Sequence, residues 1–466
     1  MVFSDLFFLF VFIPVFVALY LGANLLDKNT GDTSPKFRNA VLTIFSLIFY
    51  AWGEPAYIFL MLGTVFINYI AGNMIHKSGN PKRALTIGLA LNLLILMVFK
   101  YTGFICESLN GVGIPLPKPE ISLPIGISFY IFQSISYLVD IYRKQSEPQR
   151  RFPDLLLYIS MFPQLIAGPI VRYNTVATEI GSRRVTTEDI AEGVWRFMKG
   201  LGKKVIIANQ LGEIAGQFLD ADLAQQGGLG LALGLLCFMM QIYFDFSGYS
   251  DMAIGIGRCL GFHFNENFDH PYTCGSVTDF WRRWHMSLGT FFRDYVYIPM
   301  GGNRRHQWAN ILTVWFLTGM WHGASWNFII WGMYFGLILI IEKVWLLRIF
   351  ERIPAVGHIF SLVMVYLGWG IFYFDDFGRM LEFFRLLLGG SDFFSNFVST
   401  QAITANIWLL LGSMALCLPI SKIYKRYMND PDAAMILKAV ISVMILFLSI
   451  SLLVGATNNA FLYFRF

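Results

Sequence analysis

Residues 280–343 read FWRRWHMSLGTFFRDYVYIPMGGNRRHQWANILTVWFLTGMWHGASWNFIIWGMYFGLILIIEK, and this stretch decides the architecture. Apolar runs of nearly membrane-spanning length are joined here to a charged insert carrying Arg282, Arg283, Arg304 and Arg305. His285 follows two arginines, His306 adjoins Arg304 and Arg305, and His322 lies between Trp321 and Gly323 in an almost uncharged segment. An ionisable side chain within apolar sequence is costly in lipid, so it turns toward protein or a cavity and marks a candidate functional site.

The same texture extends outward. Apolar residues make up 56% of the chain and charged residues 14%, a balance that excludes an ordinary soluble domain. Apolar runs of roughly 15 to 22 residues suit helices, whereas a transmembrane barrel would show short alternating segments. The chain therefore reads as an all-α polytopic membrane protein, with roughly ten to twelve spanning helices plus re-entrant or broken ones. Residues 1–466 form one membrane domain, since no soluble segment, linker or internal repeat interrupts them.

Basic residues occur in short groups between apolar runs, which suits topology determinants and not the continuous basic face of a nucleic-acid binder. Groups of this kind follow the first, third and fifth spans: Lys28, Lys36 and Arg38; Lys77, Lys82 and Arg83; Arg143, Lys144, Arg150 and Arg151. By the positive-inside rule the N terminus faces outward and the odd spans descend to the cytoplasm. The group Lys422, Lys425 and Arg426 precedes the last span and places the C-terminal tail, residues 455–466, outside as well. The first apolar run follows Asp5 with no cleavage pattern after it, and is expected to be retained.

Two regions resist simple counting. Pro163 and the Gly168-Pro169 pair interrupt 152–172, while Arg196, Lys199, Lys203 and Lys204 fall within 190–218. Shielded broken or re-entrant helices suit both, because irregular or charged segments at membrane depth must be covered or line a cavity; ordinary cytoplasmic amphipathic helices are the alternative. A span at 228–244 is followed by a glycine-rich amphipathic stretch, DFSGYSDMAIGIG at 245–257.

The imidazole of His322 can take a proton from a hydroxyl and return it to a leaving group. Its alternative role is that of a hydrogen-bonded histidine in a packed bundle. The same two roles are open to His285; if both act, the fold must bring them together, since their spacing matches neither one helical face nor a short metal motif. His306 reads as solvated. Asp279, Arg282, Arg283, Arg293, Asp294, Arg304 and Arg305 surround the first histidine with charge; the arginines, Arg282, Arg283, Arg304 and Arg305 above all, either fix topology or recognise an anionic donor through the fork of the guanidinium. NENFDH at 265–270 reads as a capped turn as readily as a ligand cluster, and the dispersed Cys106, Cys237, Cys259, Cys274 and Cys417 suggest neither disulfides nor a thiolate site. No metal is expected.

DFWRRWHMSLGTFFRDYVYIPMGGNR at 279–304 and GMWHGASWNFIIWG at 319–332 together resemble the membrane-bound O-acyltransferases, in the branch of bacterial alginate and peptidoglycan O-acetylation proteins. MVFSDLFFLFVFIPV at 1–15, LPIGISFYIFQSISYLVDIYR at 123–143 and FPQLIAGPI at 162–170 extend the resemblance over nearly the whole chain. The resemblance implies helices around a central funnel or tunnel, where a cytoplasmic acyl thioester, acetyl-CoA above all, meets an acceptor. It puts His322 at the position of the catalytic histidine and His285 at that of the second. FLYFRF at 461–466 resembles the aromatic acceptor tail of these systems, which implies that Tyr463 takes the acyl group before an extracytoplasmic SGNH-type transferase passes it to a polysaccharide. The chain departs from the usual fused tail in having Asn459-Ala460 where proline often precedes the first phenylalanine. The resemblance implies a bacterial cytoplasmic membrane location. D-alanyl transfer from an acylated carrier protein is the rival within this class, and a polytopic transporter is the rival from another.

Overall fold

The computed structural model describes residues 1–29, 34–117, 119, 121–166, 168–389, 397–420, 430–456 and 461–462. Lys422, Lys425 and Arg426, on which the orientation of the last span was argued, lie outside these residues, as does Tyr463. Every regular element among the described residues is helical, and no strand occurs among them. The protein is an all-α, multi-pass membrane protein: seven described helices, or eight if the bent pair Phe397–Ala405 and Ile407–Leu416 makes one span, are long and apolar enough to cross. That is fewer than the ten to twelve counted from the sequence. The difference falls on segments such as Ile127–Tyr142 and Gln307–His322, each 16 residues long, which are helical but short of a full span.

The chain forms two compact units, one comprising residues 1–197 and 249–265 and the other 198–248 and 266–466. In the first, Phe162 packs against Phe12, Phe16 and Phe49 with ring centroids 5.3–5.6 Å apart. The helices Ile58–Lys77 and Pro81–Leu96 are tied by reciprocal amide hydrogen bonds between buried Asn68 and Asn92, at 3.0 and 2.8 Å. Lipid supplies no hydrophobic drive between two apolar helices, so paired side-chain amides are an effective clasp. Arg183 is buried but bonded throughout its guanidinium, donating to Asn39 Oδ1, the Tyr20 hydroxyl and the Leu260 carbonyl. The break foreseen at 152–172 is real: Phe152–Ser160 ends at Met161 before the four-residue helix Phe162–Leu165.

The charged 187–219 stretch is, in contrast, one helical run with a π-helical segment at Lys203–Ala208. Gly227–Cys259 is likewise one helix of 33 residues, so the glycine-rich 245–257 segment continues the span instead of following it. Small residues there permit close approach and do not break the helix while its backbone bonds stay intact.

In the second unit, Gln307–His322 and Trp326–Ile341 form a tight hairpin. A Cβ on Gly319 would collide with the Phe328 carbonyl and one on Gly332 with the Trp315 carbonyl, so glycine at both positions lets the two backbones touch. Ser325 starts the return helix by accepting from the Asn327 N–H. His322 is thereby fixed as the last residue of its helix, at the bend of the hairpin.

Candidate active site

Two short helices carry the first histidine. Val277–Arg283 begins at Ser276, whose hydroxyl accepts from Asp279 N–H, and the carboxylate of fully buried Glu342 accepts from the N–H groups of Val277 and Thr278 and from the Thr278 hydroxyl. The otherwise unsatisfied donors of a helix N-terminus are thus met by a carboxylate, which the helix dipole also favours. Met286–Phe292 follows after His285, which is held at φ +45°, an uncommon backbone conformation for a residue with a side chain.

The imidazole of His285 is 2% exposed and packs edge-on to Phe246, ring centroids 4.7 Å apart. Its tautomer follows from Asn267. The Oδ1 of Asn267 accepts from the Ser287 N–H at 3.2 Å and from the Ser287 hydroxyl at 2.9 Å, and it faces His285 Nδ1 at 3.1 Å. The backbone donor fixes which end of the amide points here, and an amide oxygen cannot donate, so Nδ1 carries the proton. Nε2 is left as the lone-pair nitrogen, with no hydrogen-bond partner among the described residues.

Burial lowers the pKa of His285 to about 3, because a charged imidazolium would lose its hydration there. The folded protein therefore refuses a proton that the unfolded chain accepts below about pH 6.5. The stability contributed by neutral His285 is complete above that pH and declines as pH falls toward 3, by at most about 1.4 kcal/mol per pH unit. His285→Gln, which cannot titrate, should lose less melting temperature than the parent between about pH 7 and 5 in detergent solution; equal losses would contradict a buried neutral ring.

His322 is 7% exposed and lies among Trp321, Trp331 and Phe372, with ring centroids 4.9–5.3 Å away. Both histidines line one cavity of about 620 Å³, a volume within the range of small-molecule sites. The convergence required for cooperation is therefore present. Its other walls include Trp281, Trp284 and Trp315, and its cationic groups are Arg282, Arg293 and Lys343.

Of the four arginines singled out in the sequence, only Arg282 lines this cavity. Arg283 is paired with Asp279 at 3.0 Å, while Arg304 and Arg305 are exposed on the turn before Gln307–His322. Arg293, one of the charged residues read around His285, lines the cavity as well, whereas Lys343 takes a position that the sequence did not single out. Lys343 ends an apolar run, where a lysine reads simply as an anchor. Asn267 was also missed, since NENFDH resembled a turn and nothing in it pointed to a histidine further along.

A second, much smaller cavity of about 20 Å³ adjoins the site, lined by Asp245, Phe246, His322, Phe461 and Leu462, among others. His322 and Trp284 border both cavities. Phe461 is 2% exposed, and Leu462 N–H donates to Asp245 Oδ2 at 2.8 Å. Among the described residues no group of three or more His, Cys, Asp or Glu side chains gathers as a metal site.

The sequence pattern of the membrane-bound O-acyltransferase family matches residues 127–371, which include both histidines. The chain is 42% identical to a probable alginate O-acetylase of Azotobacter vinelandii, over 80% of this chain and 75% of that protein. It is 34% identical to a peptidoglycan O-acetyltransferase of Helicobacter pylori, over 74% and 70% of the respective chains. A teichoic acid D-alanyltransferase of Bacillus subtilis is 29% identical, over 46% of this chain and 58% of its own. A family pattern across half the chain, and relatives matched along most of their length, meet here with two buried histidines on one cationic cavity: the protein belongs to the membrane-bound O-acyltransferase family and is an acyltransferase, similar to the bacterial alginate and peptidoglycan O-acetylases.

Proposed function

We propose that the protein moves an acetyl group from acetyl-CoA to the hydroxyl of Tyr463, from which an extracytoplasmic SGNH-type transferase delivers it to a polysaccharide. The observation that carries this reading is the position of His322, which borders both the large cationic cavity and the small cavity lined by Phe461 and Leu462. Tyr463 is the next residue in sequence, one Cα–Cα step of about 3.8 Å beyond Leu462.

In this reaction the His322 imidazole takes the phenol proton as the tyrosine oxygen attacks the thioester carbonyl. The new C–O bond forms an aryl ester, the C–S bond breaks, and the proton passes from His322 to the departing thiolate. His285 suits a different part: a ring that stays neutral with Nε2 as acceptor can orient a hydroxyl, whereas its low proton affinity makes it a poor base near neutral pH. Arg282, Arg293 and Lys343 offer charge to the phosphates of the donor. The acceptor polymer outside belongs to the class named for the relatives, alginate or peptidoglycan, or is another exopolysaccharide. The site lies in the bacterial cytoplasmic membrane with both termini outside.

Release of free thiol from acetyl-CoA by the purified protein tests the reading, and a transporter would release none. Arg282→Ala and Lys343→Ala should each raise the KM for acetyl-CoA several-fold with a smaller change in kcat, since they act on donor binding. Arg304→Ala, outside the cavity, should change KM less. A uniform fall in kcat with unaltered KM would remove the donor role from these cations.

A further inference from the structure

Asp245 is an acidic side chain in the interior of the Gly227–Cys259 helix, 2% exposed. A carboxylate at that depth is tolerated only when paired. One oxygen, Oδ1, meets Lys204 Nζ at 2.7 Å, and Lys204 is itself 4% exposed on the π-helical segment Lys203–Ala208. The other oxygen, Oδ2, accepts the Leu462 N–H at 2.8 Å. The two oxygens thus serve different partners: the ion pair with Lys204 fixes the rotation of the carboxylate, which leaves Oδ2 turned to the Leu462 N–H. Phe461 packs beside it on Phe246, at 6.3 Å between ring centroids, and Phe246 is the ring against which His285 stands.

We propose that Asp245 is a positioning residue that docks Phe461 and Leu462 beside His322, by accepting the Leu462 N–H on a carboxylate oxygen oriented by Lys204. The proposal rests on the tyrosine relay for its catalytic consequence, though the docking itself stands on the contacts just described. Recognition goes through the backbone, so it sets where Tyr463 begins without depending on the side chain at 462. A charge-assisted hydrogen bond of this kind, made in a site that excludes water, is worth about 10- to 100-fold in occupancy.

Asp245→Asn gives a test that separates docking from general support. An asparagine has one accepting oxygen, and Lys204 will claim it, which turns the amide NH₂ toward the Leu462 N–H, donor against donor. Exchange of the Leu462 amide hydrogen should then speed up about 10- to 100-fold, and transfer from labelled acetyl-CoA to Tyr463 should slow by a similar factor. Adding Lys204→Met frees the asparagine oxygen to turn back to Leu462, so the Lys204→Met, Asp245→Asn double variant should recover part of both. Leu462→Pro deletes the donor at the segment itself, where folding of the helices is not at stake. It should match Asp245→Asn in transfer rate, and the two together should be no worse than either alone.

Parental exchange and transfer rates in Asp245→Asn, or defects of Asp245→Asn and Leu462→Pro that multiply, would overturn the docking. If Leu462 exchange depends on Asp245 but the parent never carries acetyl on Tyr463, docking stands and the relay falls. If Tyr463 is acetylated at a rate indifferent to Asp245, the relay stands and the docking falls.

Discussion

His322→Ala is expected to lower acyl transfer by at least about 100-fold, the range over which general acid–base catalysis operates. The loss should appear in kcat, because the cations of the cavity, Arg282, Arg293 and Lys343, are untouched and continue to hold the donor. Folding should survive: the hairpin that carries the histidine is set by the glycine contacts at Gly319 and Gly332, and its bend by the Ser325 cap, none of which involves the imidazole. A single-turnover measurement with labelled acetyl-CoA, beside a melting curve of the same preparation, isolates the chemical step. Near-parental transfer in the variant would end the assignment of His322 as the base. His285→Ala should cost less if its ring orients a hydroxyl. It also opens a space beside Phe246 and leaves Asn267 and Ser287 to re-pair, so some of its effect will be structural.

The sequence made the class of fold legible for a reason that the structure bears out, and it marked a region in which to seek the site. Apolar runs predict helices because no other open backbone survives in lipid, and the WHG context of His322 marks an ionisable group in an almost uncharged segment. The convergence of His285 and His322 on one cavity was a condition that the sequence could pose but not meet, since it depends on the fold. What lay beyond sequence reasoning was of two kinds. Continuity of helices was obscured where charge or glycine interrupts an apolar pattern: Lys204 within a helical run looked prohibitive until its partner Asp245 came into view, and that pairing spans distant segments. Support residues were invisible for a related reason. Asn267 and Glu342 act on His285 and on the helix that precedes it through contacts of a few ångströms, while their sequence surroundings resemble an ordinary turn and an ordinary helix end. Phe461 is buried beside Phe246, where it belongs to the walls of the site, a placement that its position near the end of the sequence does not reveal.

Tyr463→Phe should abolish acetylation of the 461–466 segment and, with it, delivery to the polymer. The substitution keeps the ring and removes only the hydroxyl, so an aromatic residue that merely anchors a helix at the membrane interface would be replaced without loss. A nucleophile would not. The free phenol, with a pKa near 10, is a weak nucleophile at neutral pH and needs a base as it attacks, which is why this prediction is coupled to His322. Phe461 and Leu462 line the small cavity bordered by that histidine, and Asp245 holds the Leu462 N–H there, so the acceptor need cover only a single residue step from a fixed point. An aryl ester also has the right reactivity for a relay, because phenolate departs more readily than an alkoxide when a serine enzyme takes the acyl group. Peptide mass spectrometry after incubation with labelled acetyl-CoA should place the label on Tyr463 in the parent and nowhere in the segment in Tyr463→Phe. His322→Ala should lack the label too, with the tyrosine still present. If Tyr463→Phe passes acetyl groups to the partner enzyme at the parental rate, the segment is an anchor, and the acyl group must leave the cavity by another acceptor.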